Sequence, residues 1–137
     1  MTSQLNVDTI VDKAGSGGTN IKVANTATYV ADGGSATQNT VQSLVKFWMQ
    51  ANLTTTSYDD SFNASSATDT ATGELTSAFT NNFSNANYSI TGAANTGDAG
   101  VYNGAQTTSQ WRTNMRNESN ASADASFAGY MIAGDLA

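Results

Sequence analysis

The side chains able to do chemistry are few. Asp59 and Asp60 stand together, Asp69 and Glu74 follow in the same polar stretch, and the chain has neither histidine nor cysteine. A pair of carboxylates flanking a sugar linkage can supply an acid and a nucleophile for glycoside cleavage. Here the carboxylates sit among Thr, Ser and Gly, where Asp and Glu commonly end strands and accept local backbone hydrogen bonds. Nor does their spacing give the alternating ligands and fixed Gly and Glu of a calcium loop. Without histidine the commonest general base and the commonest transition-metal ligand are both missing. Without cysteine there is no thiolate chemistry and no disulfide framework. The expectation is a protein that is not an enzyme, with no catalytic residue, no metal and no cofactor.

Two other sets of residues suggest binding. In an extended segment Arg112 and Arg116 project to the same side about 13 Å apart, a surface for an acidic partner, or two cations each paired with a neighbour such as Glu118 or with another subunit. Trp48, Trp111, Tyr58, Tyr102 and Tyr130 could form a platform for sugar rings, since aromatic faces beside amides and hydroxyls suit neutral glycans. Aromatics of this kind are more often core. Trp48 and Trp111 are therefore read as buried in the body or in a subunit interface, and Tyr102 with Asn103, in a glycine-rich loop, as the receptor contact. The Asn-x-Ser/Thr triplets at Asn52, Asn63 and Asn87 are what chance supplies in so Asn- and Thr-rich a chain.

These residues must be carried by a small body. A chain of 137 residues is the size of one domain, and its 39% apolar content leans on alanine, so a lone subunit buries only a modest core. A net charge of −6 with five basic residues lacks the electrostatic footprint of nucleic-acid binding. No run is long and apolar enough for a membrane span, and the start lacks the basic-then-apolar order of a secretory signal. A soluble, unprocessed product is expected, with no nucleic-acid partner and no membrane insertion.

Period-two patterns dominate. Residues 5–10 alternate as a short strand, glycines at 15, 17 and 18 make a turn, and Ile21 and Val23 suggest a second strand. Residues 31–39 have the composition of a loop and separate an arm and linker, 1–39, from a body, 40–137. Residues 40–52 fit two patterns. Val41, Leu44, Val45, Trp48 and Met49 make a helical stripe; alternatively Val45, Phe47, Met49 and Ala51 share one strand face and Lys46, Trp48 and Gln50 the other. Further on, Thr72-Gly73 reads as a turn between strands at 65–70 and 74–79. Leu75, Phe79, Tyr88 and Ile90 are candidates for one core layer. Residues 94–105 form an exposed loop. The last strands are 108–117, with Arg112, Asn114 and Arg116 opposite Trp111, and 126–133, with Phe127, Gly129 and Met131 opposite Tyr130 and Ile132.

Residues 63–92, NASSATDTATGELTSAFTNNFSNANYSITG, resemble a block near the C-terminus of many bacteriophage fibre proteins: a serine-rich strand, an Asp/Thr/Gly turn, a second strand, an N-A-N-Y step and a third strand. Residues 5–18, LNVDTIVDKAGSGG, are similar to the attachment motif that opens many marine phage tail-fibre and decoration proteins. After Gly18 this chain reads TNIKVAN where the family often has a Phe-Pro-Asn-Gly-like step. The resemblance favours a strand at 44–51 and implies an all-β virion protein. In it an N-terminal arm (Leu5, Val7, Thr9, Ile10, Ile21 and Val23) docks on tail or capsid proteins, and a β-sandwich or barrel-like knob is intertwined in a homotrimer. The knob would contact the host surface, possible ligands including a surface glycan. Val45, Phe47, Trp48, Leu75, Phe79, Tyr88, Ile90, Trp111 and Phe127 would serve trimer or core packing. A short tail fibre and a trimeric capsid decoration protein or head fibre both fit; the class-distinct alternative is a carbohydrate-binding module. YMIAGDLA would then complete the body, and the protein, made in the host cytoplasm, would reside in the virion.

Overall fold

The computed structural model describes residues 27–30, 35–95 and 105–137. All described regular structure is β, every strand pairing is antiparallel, and no helix occurs among the described residues. The chain divides into two compact units, residues 1–41 and 42–137.

In the first unit β1 (Thr28–Val30) pairs with β2 (Thr37–Asn39). The Tyr29 hydroxyl donates to Gln38 Oε1 across the pair at 2.6 Å, and Thr40 N donates to Ala27 O at 2.9 Å. Within residues 31–39, expected as a loop, this corrects the assignment of Thr37–Asn39: the cross-strand partner decides their conformation where local composition favours a loop, and residues 31–34 lie outside the described residues. The proposed arm residues Leu5, Val7, Thr9, Ile10, Ile21 and Val23 lie outside the described residues.

In the second unit a four-stranded sheet has the order β4 (Ser57–Phe62), β3 (Val45–Asn52), β9 (Ala128–Ala133), β7 (Ser89–Ala94). A three-stranded sheet has the order β5 (Ala64–Ala71), β6 (Glu74–Phe79), β8 (Gln110–Arg112). Residues 45–52 are thus a strand, and the helical stripe over 40–52 is excluded. The alternation also differs from the one read in the sequence. Phe47, Met49 and Ala51 are buried, but Val45 is exposed and Lys46 buried, because the β3–β9 register shifts between Val45 and Phe47. An irregularity of this kind carries the residues before it to the other face.

The inner faces meet through aromatic rings. Phe47 of the four-stranded sheet lies 5.3 Å from Phe79 and 6.2 Å from Trp111 of the other, both edge-on. Trp111 continues to Tyr130 at 4.9 Å, and Phe79 to Phe83 at 4.8 Å. Such edge-to-face contacts add to the stabilisation from burial. Leu75, Phe79, Tyr88 and Trp111 are all in this core, with Ile90 partly buried against it. Within it the Ser77 hydroxyl donates to Met49 Sδ at 3.3 Å.

Two local devices hold the layers in register. Between β4 and β5 the chain passes from one sheet to the other at Asn63, whose φ of 61° lies in the left-handed region that Asn tolerates better than most residues. Its amide donates to Lys46 O and Asn81 O, both at 3.0 Å, and accepts from Asn81 N at 2.7 Å. At the β5–β6 turn Gly73 has a φ of 77°, and its N–H donates to Asp124 Oδ1 at 2.6 Å.

The strand expected over 108–117 is shorter, Gln110–Arg112. Beyond it Thr113, Asn114 and Met115 are all buried, so alternation stops and Asn114 does not share an exposed face with Arg112. The Thr113 hydroxyl accepts from Leu75 N at 2.8 Å while Thr113 N donates to Leu75 O at 2.9 Å. A side-chain oxygen thus stands in for a ladder acceptor, and the strand geometry is lost.

Candidate functional site

Strand alternation gives the four-stranded sheet a second face, directed away from the core. Register places Phe62 opposite Trp48, Trp48 opposite Met131, and Met131 opposite Thr91, one row across all four strands. The next row is Asp60, Gln50, Gly129 and Ala93. Neighbours within such rows stand roughly 5 Å apart. The first row is mostly apolar yet open: Phe62 is 53% and Met131 50% exposed, and Phe127, just ahead of β9, is 43% exposed. Val45, at the start of β3 and opposite Ala133, extends this exposed apolar surface, and Leu44 just ahead of it is exposed as well. Isolated exposed apolar side chains are ordinary, but a contiguous patch marks a contact surface.

Part of this face is concave. A groove of about 320 Å³ is lined by Trp48, Gln50, Thr91, Phe127, Gly129 and Met131, together with Met49, Gly92 and Tyr130. Gly129 gives the groove its depth: a Cβ there would meet only the Phe127 ring edge, at 3.8 Å, and the Met49 carbonyl, at 4.0 Å. None of the lining side chains is charged. Gln50 Nε2 donates to Asp59 Oδ2 at 3.5 Å, and Asp60 faces Gln50 across the β3–β4 pair.

The carboxylates do not converge. Asp59 and Asp60 lie on β4, Asp69 on β5 and Glu74 on β6, and no group of three acidic residues able to hold a metal ion occurs among the described residues. Glu74 accepts from Arg112 Nη1 at 2.8 Å and from Asn114 Nδ2 at 3.2 Å. Arg112 is therefore paired, though with Glu74 and not Glu118, and Arg116 donates to Asn120 O at 2.8 Å. Burial lowers the pKa of Lys46, with Asp135 opposing the shift.

The aromatics separate into three groups. Trp111 and Tyr130 are core; Tyr58 is half-buried and donates to Ser66 O at 2.7 Å; Trp48 is half-buried on the outer face. Tyr102 and Asn103 lie outside the described residues. Of the residues assigned to trimer or core packing, Phe47, Leu75, Phe79, Tyr88 and Trp111 are buried, whereas Val45 and Phe127 are exposed and so are not core. The groove residues Gln50, Thr91 and Met131 were not singled out, although the alternation of Trp48 with Gln50 and of Phe127 with Met131 already set them on common faces.

No family model, curated protein or solved structure matches the chain.

Proposed function

We propose that this chain is a non-enzymatic structural protein of a bacteriophage virion, a short homotrimeric tail fibre. Its N-terminal arm attaches it to the particle, and its β body meets the host surface. The observation that carries this reading is the exposed apolar set Leu44, Val45 and Phe62 at the β3–β4 side of the four-stranded sheet, which nothing in the described body covers. A small domain gains stability by burying such surface against further copies of itself. The resemblance of residues 5–18 and 63–92 to phage fibre and decoration proteins supplies the context, and the function is non-covalent: docking by the arm and contact by the body, multiplied by copy number.

Light scattering on the full chain tests assembly: a mass three times the 14.2 kDa subunit is expected, falling to that of one subunit in Phe62→Asp or Val45→Asp. A monomeric wild type sinks the trimer. Antibody labelling of virions tests location. Label at the tail supports the fibre, label over the shell replaces it with a decoration protein, and unlabelled particles remove the virion role altogether.

A further inference from the structure

We infer that the groove between Trp48, Phe127 and Met131 is a binding site for a neutral oligosaccharide. The inference rests on the reading of the body as a host-contacting surface and gives that surface its ligand class.

A pyranose ring presents one predominantly apolar C–H face and a rim of hydroxyl groups that are good hydrogen-bond donors. The groove presents the complement of both. The Trp48 and Phe127 rings and the Met131 thioether provide apolar walls, the kind of surface on which the C–H face of a sugar packs. The Gly129 floor leaves room for a ring to sink between them. At about 320 Å³ the space lies at the lower end of the range for small-ligand sites, enough for one or two sugar units with the rest of a chain running outward.

The rim selects the kind of sugar. Gln50 and Thr91 are its polar lining groups, and Gln50 is held through its amide nitrogen by Asp59. With the nitrogen engaged there, the amide oxygen is left to accept from a hydroxyl. Asp60, opposite Gln50 in the same row, and Asp59 beside it make this edge rich in acceptors and negative, and no Lys or Arg lines the groove. Hydroxyl donors are drawn to such an edge, while uronates, sulfates and sialic acids are repelled by it and by a chain of net charge −6. The same electrostatics disfavour a second copy as occupant of the groove, because it would bring more carboxylates to an edge that has no cation to receive them. Self-association belongs to Leu44, Val45 and Phe62; Phe62 stands beside Trp48 across the β3–β4 pair, but none of the three lines the groove.

The test is binding of the full chain to an array of neutral glucan, mannan and galactan oligomers beside uronate-containing and sulfated oligomers, then titration with the best neutral oligomer. Light scattering is run on every variant. The expected result is a preference for neutral oligomers, weakened at least tenfold by Trp48→Ala and by Gln50→Ala, with the oligomeric mass unchanged. Gln50 is exposed, so its variant keeps the fold even if that of Trp48 does not. The proposal is overturned by the absence of binding to any neutral oligomer at millimolar concentration, by a preference for acidic ones, or by affinity that survives both substitutions. Loss of oligomeric mass in Gln50→Ala also overturns it, since a second copy then fills the groove. A monomer that binds neutral sugar supports this inference while ending the trimer reading; a trimer that binds none ends this inference alone.

Discussion

Trp111 and Trp48 sit on opposite kinds of surface. Trp111 is sealed between the two sheets, in edge-on contact with Phe47 and Tyr130; Trp48 lies half-buried on the far side of the four-stranded sheet, in a row with Phe62 and Met131. Both faces are rich in large apolar side chains, so residue type does not distinguish core from contact surface here. What distinguishes them is saturation. Inside, each ring has neighbours on all sides; outside, the same chemistry is left with one side open, which is the condition for binding something else.

The difference can be tested most strongly at the tryptophans themselves. Trp111→Ala is expected to cost about 3–5 kcal/mol of unfolding free energy, and Trp48→Ala less than about half of that, because part of its surface is already in water. Chemical denaturation of both variants checks this; equal losses would mean that the outer face is core after all.

Two glycines repeat the contrast on a smaller scale. A Cβ at Gly92 would overlap the Tyr130 ring, whereas one at Gly129 meets its neighbours at ordinary contact distance. Gly92→Ala should therefore destabilise by about 1–3 kcal/mol. Gly129→Ala should be neutral or stabilise by up to about 1 kcal/mol, as alanine does in a strand it fits, while making the groove shallower and weakening any sugar bound there.

Alkaline titration addresses the inner face. Burial pushes the pKa values of Tyr88 and Tyr130 up to about 12, from an ordinary value of 10.0. The folded state thus resists losing these protons, so their contribution is fully present below pH 10 and is lost as pH rises from there through about 12. Thermal melts across that window should show a steep fall that trails the exposed-tyrosine titration, and a flat profile would place these hydroxyls in water.

The smallest effect is expected from Tyr130→Phe. Tyr130 Oη and Trp111 Nε1 are buried and find no hydrogen-bond partner among the described residues. Removing the unpaired hydroxyl should be neutral or stabilise by up to about 1 kcal/mol, and should blunt the alkaline fall. A clear loss of stability would show that the hydroxyl has a partner.

Much of this body was legible from alternation. Glu74–Phe79 shows the expected buried Leu75 and Phe79, and Tyr130 with Ile132 faces opposite Met131 as written in the sequence. Thr72-Gly73 is a turn with the positive φ that glycine permits. What alternation could not give was which face of each strand meets the core, because Trp48 and Phe127 are as apolar as Phe47 and Tyr130. It also could not foresee the register shift that turns Val45 outward and Lys46 inward, since that depends on β9, a distant partner. Ser57–Phe62 carried no assignment of its own, for its two adjacent carboxylates obscure the period; pairing with β3 makes it a strand. Thr113 broke its pattern for a similar non-local reason, its hydroxyl having been taken up by Leu75 N.

The position of β3 also sets how the body comes together. It lies between β4, which follows it directly, and β9, which reaches it only at the far end of the unit, with Val45 set opposite Ala133. β7 joins the sheet through β9 alone. A hairpin of β3 and β4 can form early from local contacts, but the four-stranded sheet cannot close until β9 has been synthesised and has found its place between two strands that do not touch. Closure over so long a loop is slow, and until it happens the edge of β3 that β9 will occupy stays unpaired. The interval between emergence of β3 and arrival of β9 is thus the period in which this chain is most prone to pair with the wrong strand.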